Sequence, residues 1–185
     1  GDNASTWHRL TTVEMFAARH GCTVIMPEAG RSFYTDMVYG LDYFHYITEE
    51  LPELCGRLLH LNTDPERTFV AGLSMGGYGA LKCALTYPER YAKAVSFSGV
   101  TDIRQRLKDP AMPEGMRREM QAVFGPGLEV KPDQDVYALS AKLIEEGRRL
   151  PPVLCCCGSE DPFVEMNRQF AASMENSPFD FRYVE

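Results

Sequence analysis

The stretch Gly72-Leu73-Ser74-Met75-Gly76-Gly77 decides how the rest of this sequence is interpreted. It matches the pattern G-x-S-x-G, in which a serine lies on a sharp turn between a strand and a helix. The context fits, because residues 68–71 form an apolar run typical of a buried strand. Residues 79–85 then predict a helix that ends before Pro88. The pattern predicts that Ser74 is a nucleophile, and the alternative is a structural Gly-Ser turn.

The composition indicates a folded α/β domain with a core. The chain has 185 residues, of which 44% are hydrophobic and 24% charged. Its net charge is −7 and its basic residues form no dense cluster, which argues against nucleic acid and anionic membranes as partners. No apolar run reaches the roughly 18 residues of a membrane span. The expected partner is a small molecule, with no nucleic acid and no membrane, and a homo-oligomer stays possible.

The six cysteines show neither C-x-x-C spacing nor a histidine at zinc spacing. Three of them are consecutive, Cys155 to Cys157, within an apolar run. We interpret them as buried, reduced thiols that act as small hydrophobic residues. This favours a reducing compartment such as the cytoplasm, and no metal or cofactor is predicted. A redox or metal site is the alternative.

The remaining pattern alternates strands with helices. Strands are predicted at 23–26, 68–71, 92–98, 153–157 and 179–184. Further helices are predicted at 7–20, at 44–61 with a kink at Pro52, at 133–150 and at 164–174. This order indicates a single domain with a mainly parallel, doubly wound sheet flanked by helices. The proline-rich segment 101–132 holds a short helix near 116–124 and is predicted to be a lid-like insertion over a site.

A serine nucleophile needs a histidine base and an acid that orients this base. In a parallel sheet the reacting groups lie beyond the carboxyl ends of the strands. Asp161, which follows the strand at 153–157, is therefore the predicted acid, with Asp102 and Glu160 as alternatives. The structural alternative for Asp161 is a helix N-cap ahead of Pro162.

The histidines do not complete this order. His8, His20, His45 and His60 all precede Ser74, whereas the α/β-hydrolase order is serine, acid, histidine. None of the four is predicted to be the base.

The sequence resembles a known family over nearly its whole length. The resemblance rests on Gly72–Leu81 (GLSMGGYGAL) together with segments at 31–36, 50–52, 65–67, 87–91, 96–99 and 157–161. These segments are similar to those of the esterase D-like serine esterases, and the nearest branch is the bacterial tributyrin and acetyl esterases. The resemblance implies an α/β-hydrolase fold and hydrolysis of short-chain acyl esters through an acyl-enzyme. Carbohydrate acetyl esterase, feruloyl esterase and S-formylglutathione hydrolase activities are alternatives within the same family.

The resemblance also implies site roles. Ser74 matches the nucleophile, Asp161 the acid, and the backbone N–H of Met75 one donor of the oxyanion hole. The family's second oxyanion donor precedes the segment that resembles Gly1 to Trp7, and Gly1 is expected to be the last glycine of that loop. The family's base follows a segment that resembles residues 179–184.

We therefore expect the single domain 1–185 to be incomplete, with catalytic elements outside it at both ends. A strand is expected between the segments 23–26 and 68–71, and direct pairing of these two segments would contradict that expectation. The non-enzymatic alternative is that the chain as given is an inactive fragment or a binding module.

Overall fold

A four-stranded parallel sheet forms the centre of the computed structural model, which describes residues 3–185. Its strands are β1 (Phe69–Leu73), β2 (Lys93–Phe97), β3 (Val153–Cys156) and β4 (Phe181–Val184). They lie side by side in chain order, and each pairs in parallel with the next. Because they are parallel, all four carboxyl ends lie at the same edge of the sheet.

Nine α-helices surround or precede this sheet within residues 3–185. They are α1 (Ser5–Leu10), α2 (Val13–His20), α3 (Tyr43–His45), α4 (Leu51–Leu59), α5 (Met75–Thr86), α6 (Ile103–Leu107), α7 (Glu114–Phe124), α8 (Val136–Glu145) and α9 (Val164–Met174). Among these residues, no helix has the length and the apolar character needed to cross a bilayer. The expected parallel sheet flanked by helices is confirmed.

Helix α5 owes its stability to packing. It contains three glycines, each of which lowers helix propensity by about 1 kcal/mol relative to alanine. It is nevertheless buried along most of its length against β1, β2 and α8. The core around it includes Tyr78, Leu81 and Leu85 of α5, Val153 of β3 and Phe170 of α9. Tertiary burial therefore decides its conformation.

The predicted strand at 23–26 is absent, so this prediction was wrong. The structure assigns no strand there, and Val24 and Ile25 remain 41% and 39% exposed. A strand needs a neighbour for its backbone hydrogen bonds, and none of residues 3–185 pairs with this segment. The segment also does not pair with β1, so the expectation of an intervening strand stays a prediction.

Two of the predicted helices are interrupted. The helix predicted at 7–20 is divided into α1 and α2 at Thr11 and Thr12. The helix predicted at 44–61 changes to a π-helical turn at Tyr46–Glu50, directly before Pro52 in the first turn of α4. A proline lacks the N–H for an interior helical bond, which explains why the regular helix breaks at this point.

The insertion 101–132 packs into the core through α6 and α7. Ile103, Met112, Met120, Val123 and Phe124 are each at most 6% exposed. On its other side, the amides of Val38 and Tyr39 donate to the carbonyls of Val123 and Ala122 at 3.1 and 2.9 Å. Its apolar side chains therefore stabilise the domain, and its role as a lid stays a prediction.

The cysteines follow the predicted pattern in part. Cys83, Cys155 and Cys157 are buried free thiols, and burial raises the pKa of Cys83 to about 11. Cys22 is exposed, which contradicts the expectation of burial for that residue. Its segment lacks a strand neighbour that would cover it.

Candidate active site

Ser74 lies between β1 and α5, on the strand–turn–helix arrangement that its sequence predicts. Its backbone has φ 56° and ψ −114°, a region that non-glycine residues rarely occupy. The turn is held from two sides, because the Ser74 amide donates to the Phe97 carbonyl at 2.8 Å and its carbonyl accepts from Tyr78 at 3.1 Å. The strained geometry is therefore fixed by the strand β2 and by the first turn of α5.

Gly72 makes this turn possible by its lack of a side chain. A Cβ at this position would lie 2.1 Å from the carbonyl oxygen of Gly76 and 2.7 Å from its Cα. Both atoms belong to the backbone, which cannot move away without opening the turn. Any larger residue at position 72 would therefore displace Ser74.

The amide of Met75 lies at the first position of α5. The first N–H groups of a helix have no acceptor in the preceding turn, and they carry the positive end of the helix dipole. Met75 follows Ser74 directly, so its N–H is available close to the serine hydroxyl. This is the arrangement in which a backbone donor can stabilise an oxyanion formed at that serine.

Asp161 lies in the loop between β3 and α9, beyond the carboxyl end of β3. Its Oδ1 accepts from the amide of Phe163 at 2.8 Å, and its own amide donates to the Gly158 carbonyl at 3.0 Å. The N-cap of α9 is Phe163, so Asp161 does not occupy the N-cap position itself. One carboxylate oxygen is used to shape the loop, and among the hydrogen bonds of residues 3–185 Oδ2 has no protein donor.

The thiol of Cys157 lies beside the Asp161 carboxylate. Burial raises the pKa of Cys157, and the negative charges of Asp161 and Glu185 raise it further. A neutral thiol adds no charge next to the carboxylate.

Ser74 and Asp161 lie at the same edge of the sheet, with β2 between their strands. Adjacent strands are about 4.8 Å apart, so two strand positions correspond to roughly 10 Å at the backbone. A side chain inserted between them, such as an imidazole, could contact both.

Asn167 connects the two loops, and no motif or spacing in the sequence indicates this role. It is 1% exposed on α9, and its Nδ2 donates to the carbonyls of Gly99 and Phe163, both at 2.9 Å. The amide of Val100, next to Gly99, donates to the Ser74 carbonyl at 3.4 Å. A continuous series of hydrogen bonds thus links Ser74 with the loop of Asp161.

The alternative acids are placed differently. The carboxylate of Asp102 caps α6 by accepting from the amide of Gln105 at 2.8 Å. Glu160 is exposed and takes part in no hydrogen bond among residues 3–185. Asp161 is half-buried, as Asp102 is, but its carboxylate accepts from a loop amide and does not occupy a helix N-cap.

The four histidines lie in the first 60 residues and are all exposed. His8 contacts Glu14 at 2.9 Å and His45 contacts Glu50 at 3.7 Å, both close in sequence. None of the four forms a hydrogen bond with Ser74 or Asp161 within residues 3–185. In the same part of the chain, no group of three or more His, Cys, Asp or Glu side chains is arranged to hold a metal ion.

Comparison with known protein families matches residues 10–183 to the Esterase family. Among curated relatives, the acetyl esterase of Caldicellulosiruptor saccharolyticus is 28% identical over 191 aligned residues, which covers 99% of this chain and 71% of that protein. The S-formylglutathione hydrolase of Paracoccus denitrificans is 28% identical, with 82% of this chain and 57% of that protein covered.

Two solved structures from Staphylococcus aureus are similar over the whole fold. The fluorophosphonate-binding serine hydrolase F, solved with substrate bound, superposes with a TM-score of 0.88 at 32% identity. It is matched over 100% of this chain and 71% of its own. The S-formylglutathione hydrolase FrmB superposes with a TM-score of 0.83 at 33% identity, over 99% of this chain and 71% of its own.

Proposed function

The chain belongs to the Esterase family of ester-hydrolysing enzymes, and we propose that short-chain acyl esters are its substrates and Ser74 its nucleophile. The observation that carries the proposal is the strained backbone of Ser74 between β1 and α5. The similarity to an acetyl esterase supports a small acyl group. Met112, Met120 and Phe124 of the insertion are buried in the core, so they give no evidence on the size of the acyl group.

The proposed reaction uses three groups, which are the Ser74 hydroxyl, the Met75 N–H and a histidine base. The Ser74 Oγ attacks the carbonyl carbon of the ester while its proton passes to a histidine base. The carbonyl oxygen becomes an oxyanion, which accepts a hydrogen bond from the Met75 N–H. Collapse of this intermediate expels the alcohol, which takes the proton from the base. Water then attacks the acyl-enzyme by the same route and releases the carboxylic acid.

Asp161 acts on the base in this scheme. Its carboxylate orients the imidazole and stabilises the imidazolium that forms when Ser74 loses its proton. The exposed positions of the four histidines support a base from a segment that this sequence does not include. The second oxyanion donor is proposed to come from such a segment as well, so the chain as given is expected to turn over esters slowly or not at all.

Steady-state hydrolysis of p-nitrophenyl acetate by the protein at its natural length tests the proposal. Ser74→Ala is expected to lower kcat by about 1,000-fold or more, because the nucleophile is removed. Ser159→Ala is the matched control, since Ser159 is an exposed serine at the same edge of the sheet. Turnover by the Ser74→Ala protein at the wild-type rate would refute the role of Ser74.

Hydrolysis of S-formylglutathione is the second candidate function. The similarity to FrmB and to the Paracoccus denitrificans enzyme favours it. The thioester carbonyl would be attacked by the same Ser74 and the same acid–base pair. Comparing kcat/KM for S-formylglutathione and for p-nitrophenyl acetate decides between the two, and a ratio above about 100 in favour of the thioester would select the second function.

The compartment and assembly are further parts of the proposal. The six cysteines are free thiols, which supports the cytoplasm as the location, because thiols stay reduced there. A homo-oligomer is proposed as well, and size-exclusion chromatography with light scattering tests it directly. Tributyrin is proposed as a substrate to assay beside the acetate ester.

A further inference from the structure

One face of α5 carries Gly76, Gly79 and Lys82, spaced by three residues, so that they lie in a row on the helix. The turn around Tyr34 packs on this row. A Cβ at Gly79 would lie 2.4 Å from a carbon of the Tyr34 ring, and a Cβ at Gly76 would lie 3.7 Å from the Tyr34 hydroxyl. The ring thus lies against the helix where a side chain is absent, and its hydroxyl reaches the residue two positions after Ser74.

The turn that presents Tyr34 is strained. Phe33 and Tyr34 are consecutive residues with φ of 51° and 47°, in the left-handed region that bulky side chains avoid. Such residues are strained and persist only where the surrounding structure holds them in place. Local bonds help, since the Tyr34 amide donates to Ser32 Oγ at 3.1 Å and Thr35 Oγ1 donates to the Phe33 carbonyl at 3.0 Å.

Lys82 holds the same turn from the helix. Its ammonium donates to the Tyr34 carbonyl at 3.0 Å and to Thr35 Oγ1 at 3.2 Å, and it lies 4.1 Å from the centre of the Phe44 ring. Neither hydrogen-bond acceptor is a carboxylate. Lys82 is only 2% exposed, so a positive charge is buried on neutral partners.

Such a charge is unfavourable for folding. Burial lowers the pKa of Lys82 to about 8, although Cys83, Asp133 and Asp36 face it and act in the opposite direction. A hydrophobic residue of similar length would remove this penalty. Residues that reduce stability in this way are often retained because activity requires them.

The Tyr34 hydroxyl has no protein partner among residues 3–185, whose hydrogen bonds use only the backbone of this tyrosine. Burial raises the pKa of Tyr34, so the hydroxyl stays protonated and can donate. The hydroxyl is thus a half-buried donor beside the first turn of α5, which directly follows Ser74.

We propose that Lys82 is a positioning residue, which holds the strained turn so that the Tyr34 hydroxyl donates a hydrogen bond to an oxygen of the bound ester. This inference rests on the proposed function, because it assigns a substrate contact to the site of Ser74. Tyr34 binds the ester directly, and Lys82 acts through Tyr34. Gly76 and Gly79 then leave room on α5 for the Tyr34 ring, and Lys82 holds the turn that carries it.

A double-mutant cycle on the natural-length protein tests the proposal, with p-nitrophenyl acetate as the substrate. Tyr34→Phe is expected to raise KM about 5- to 10-fold with kcat within about two-fold, since a neutral hydrogen bond to substrate is lost. Lys82→Met is expected to raise KM similarly while its urea midpoint is no lower than that of the wild type. The double variant should show no further rise, because both changes remove the same contact.

Thr35→Val is the second variant, in case Lys82→Met does not fold. It removes one acceptor of Lys82 and should raise KM by a smaller factor. Tyr39→Phe is the matched control, because Tyr39 is 64% exposed, and its KM should equal that of the wild type.

The outcomes separate this proposal from the proposed function. If Ser74→Ala abolishes turnover but Tyr34→Phe leaves KM unchanged, the inference is overturned and the function stands. Additive effects of Lys82→Met and Tyr34→Phe would also overturn it, since they would mean independent roles. If Ser74→Ala retains wild-type turnover, the proposed function itself fails.

Discussion

The two faces of the sheet consist of the same four strands, yet they differ in burial. One face packs against α5, α8 and α9 and contributes to the core. The other face carries large apolar side chains that stay partly exposed: Phe69 at 59%, Leu73 at 53%, Phe97 at 36% and Val184 at 40%. The helices that hold Ser74 and Asn167 in place, α5 and α9, both pack on the buried face. The positions of Ser74 and Asn167 therefore depend on packing against one face of the sheet.

Strand composition therefore does not reveal which face of a sheet is covered. The sequence of β1, FVAGL, is apolar at every position, which is typical of a parallel strand covered on both sides. Within residues 3–185, helices bury only one of these sides. Stability and activity measurements on variants at the two faces test this difference in burial.

The largest expected effect is a difference in the free energy of unfolding between variants on the two faces of the sheet. Phe170 is 1% exposed and packs edge-on against Tyr137 and Phe181, with ring centres 5.2 and 5.8 Å apart. Phe170→Ala is expected to lower the free energy of unfolding by about 3–5 kcal/mol because it leaves a cavity. Phe69→Ala on the open face should lower it by less than about 1 kcal/mol. Urea denaturation measures both, and equal losses would mean that the faces are equally covered in solution.

The next largest effect is a pH dependence of stability that arises from Lys82, which lies on the buried side of the sheet. Its pKa is lowered to about 8 in the folded protein from 10.5 in the unfolded chain, so between these values only the unfolded chain binds the proton. Stability contributed by this group therefore rises with pH over that window, by up to about 3 kcal/mol. The Lys82→Met protein lacks this rise. The excess of its free energy of unfolding over that of the wild type should therefore be largest at pH 7 and shrink towards pH 10.5.

Comparing the two proteins at each pH cancels titrating groups that do not interact with Lys82. Cys83 does not cancel, because the charge of Lys82 lowers its pKa, but its raised pKa changes stability only above about pH 9. A difference in the free energy of unfolding between wild type and Lys82→Met that stays constant from pH 7 to 9 would contradict a buried charged lysine.

The smallest effect tests the connection made by Asn167. Asn167→Asp keeps the shape but removes both side-chain N–H donors, so the side-chain link from α9 to the Gly99 and Phe163 carbonyls is lost, while the backbone amides of Thr101 and Asn167 still donate to them. We expect kcat for ester hydrolysis to fall about 10-fold with KM little changed, because the acid loop shifts relative to Ser74. Asn176→Asp is the matched control on an exposed position. An unchanged kcat in Asn167→Asp would show that the link does not position the site.

The sequence predicts local features of this site well. The turn at Ser74 is encoded by Gly72 and Gly76 within five residues, and the helix predicted at 164–174 matches α9 at both ends. The position of Asp161 beyond the carboxyl end of β3 could be predicted because parallel strands place their carboxyl ends at one edge, and its role as the acid stays a prediction. The turn and the helix depend mainly on residues close in sequence, although the Phe97 carbonyl also holds the Ser74 amide.

Features that depend on distant partners could not be predicted. Asn167 bonds to Gly99, 68 residues away, and Lys82 bonds to Tyr34, 48 residues away. Residues 23–26 have the composition of a strand, but a strand also needs a neighbour that composition does not specify. The burial of Met120 and Phe124 likewise depends on the packing of the insertion against the core, which the local sequence does not specify.

The central claim is that Ser74 is the nucleophile of an esterase, and fluorophosphonate labelling of the natural-length protein tests it most directly. Mass spectrometry of the digested adduct is predicted to place the phosphonyl group on Ser74. Asp161→Asn is predicted to slow the labelling by about 1,000-fold, because the base loses its orienting carboxylate. An adduct on any other residue, or labelling of the Ser74→Ala protein at the wild-type rate, would contradict the claim.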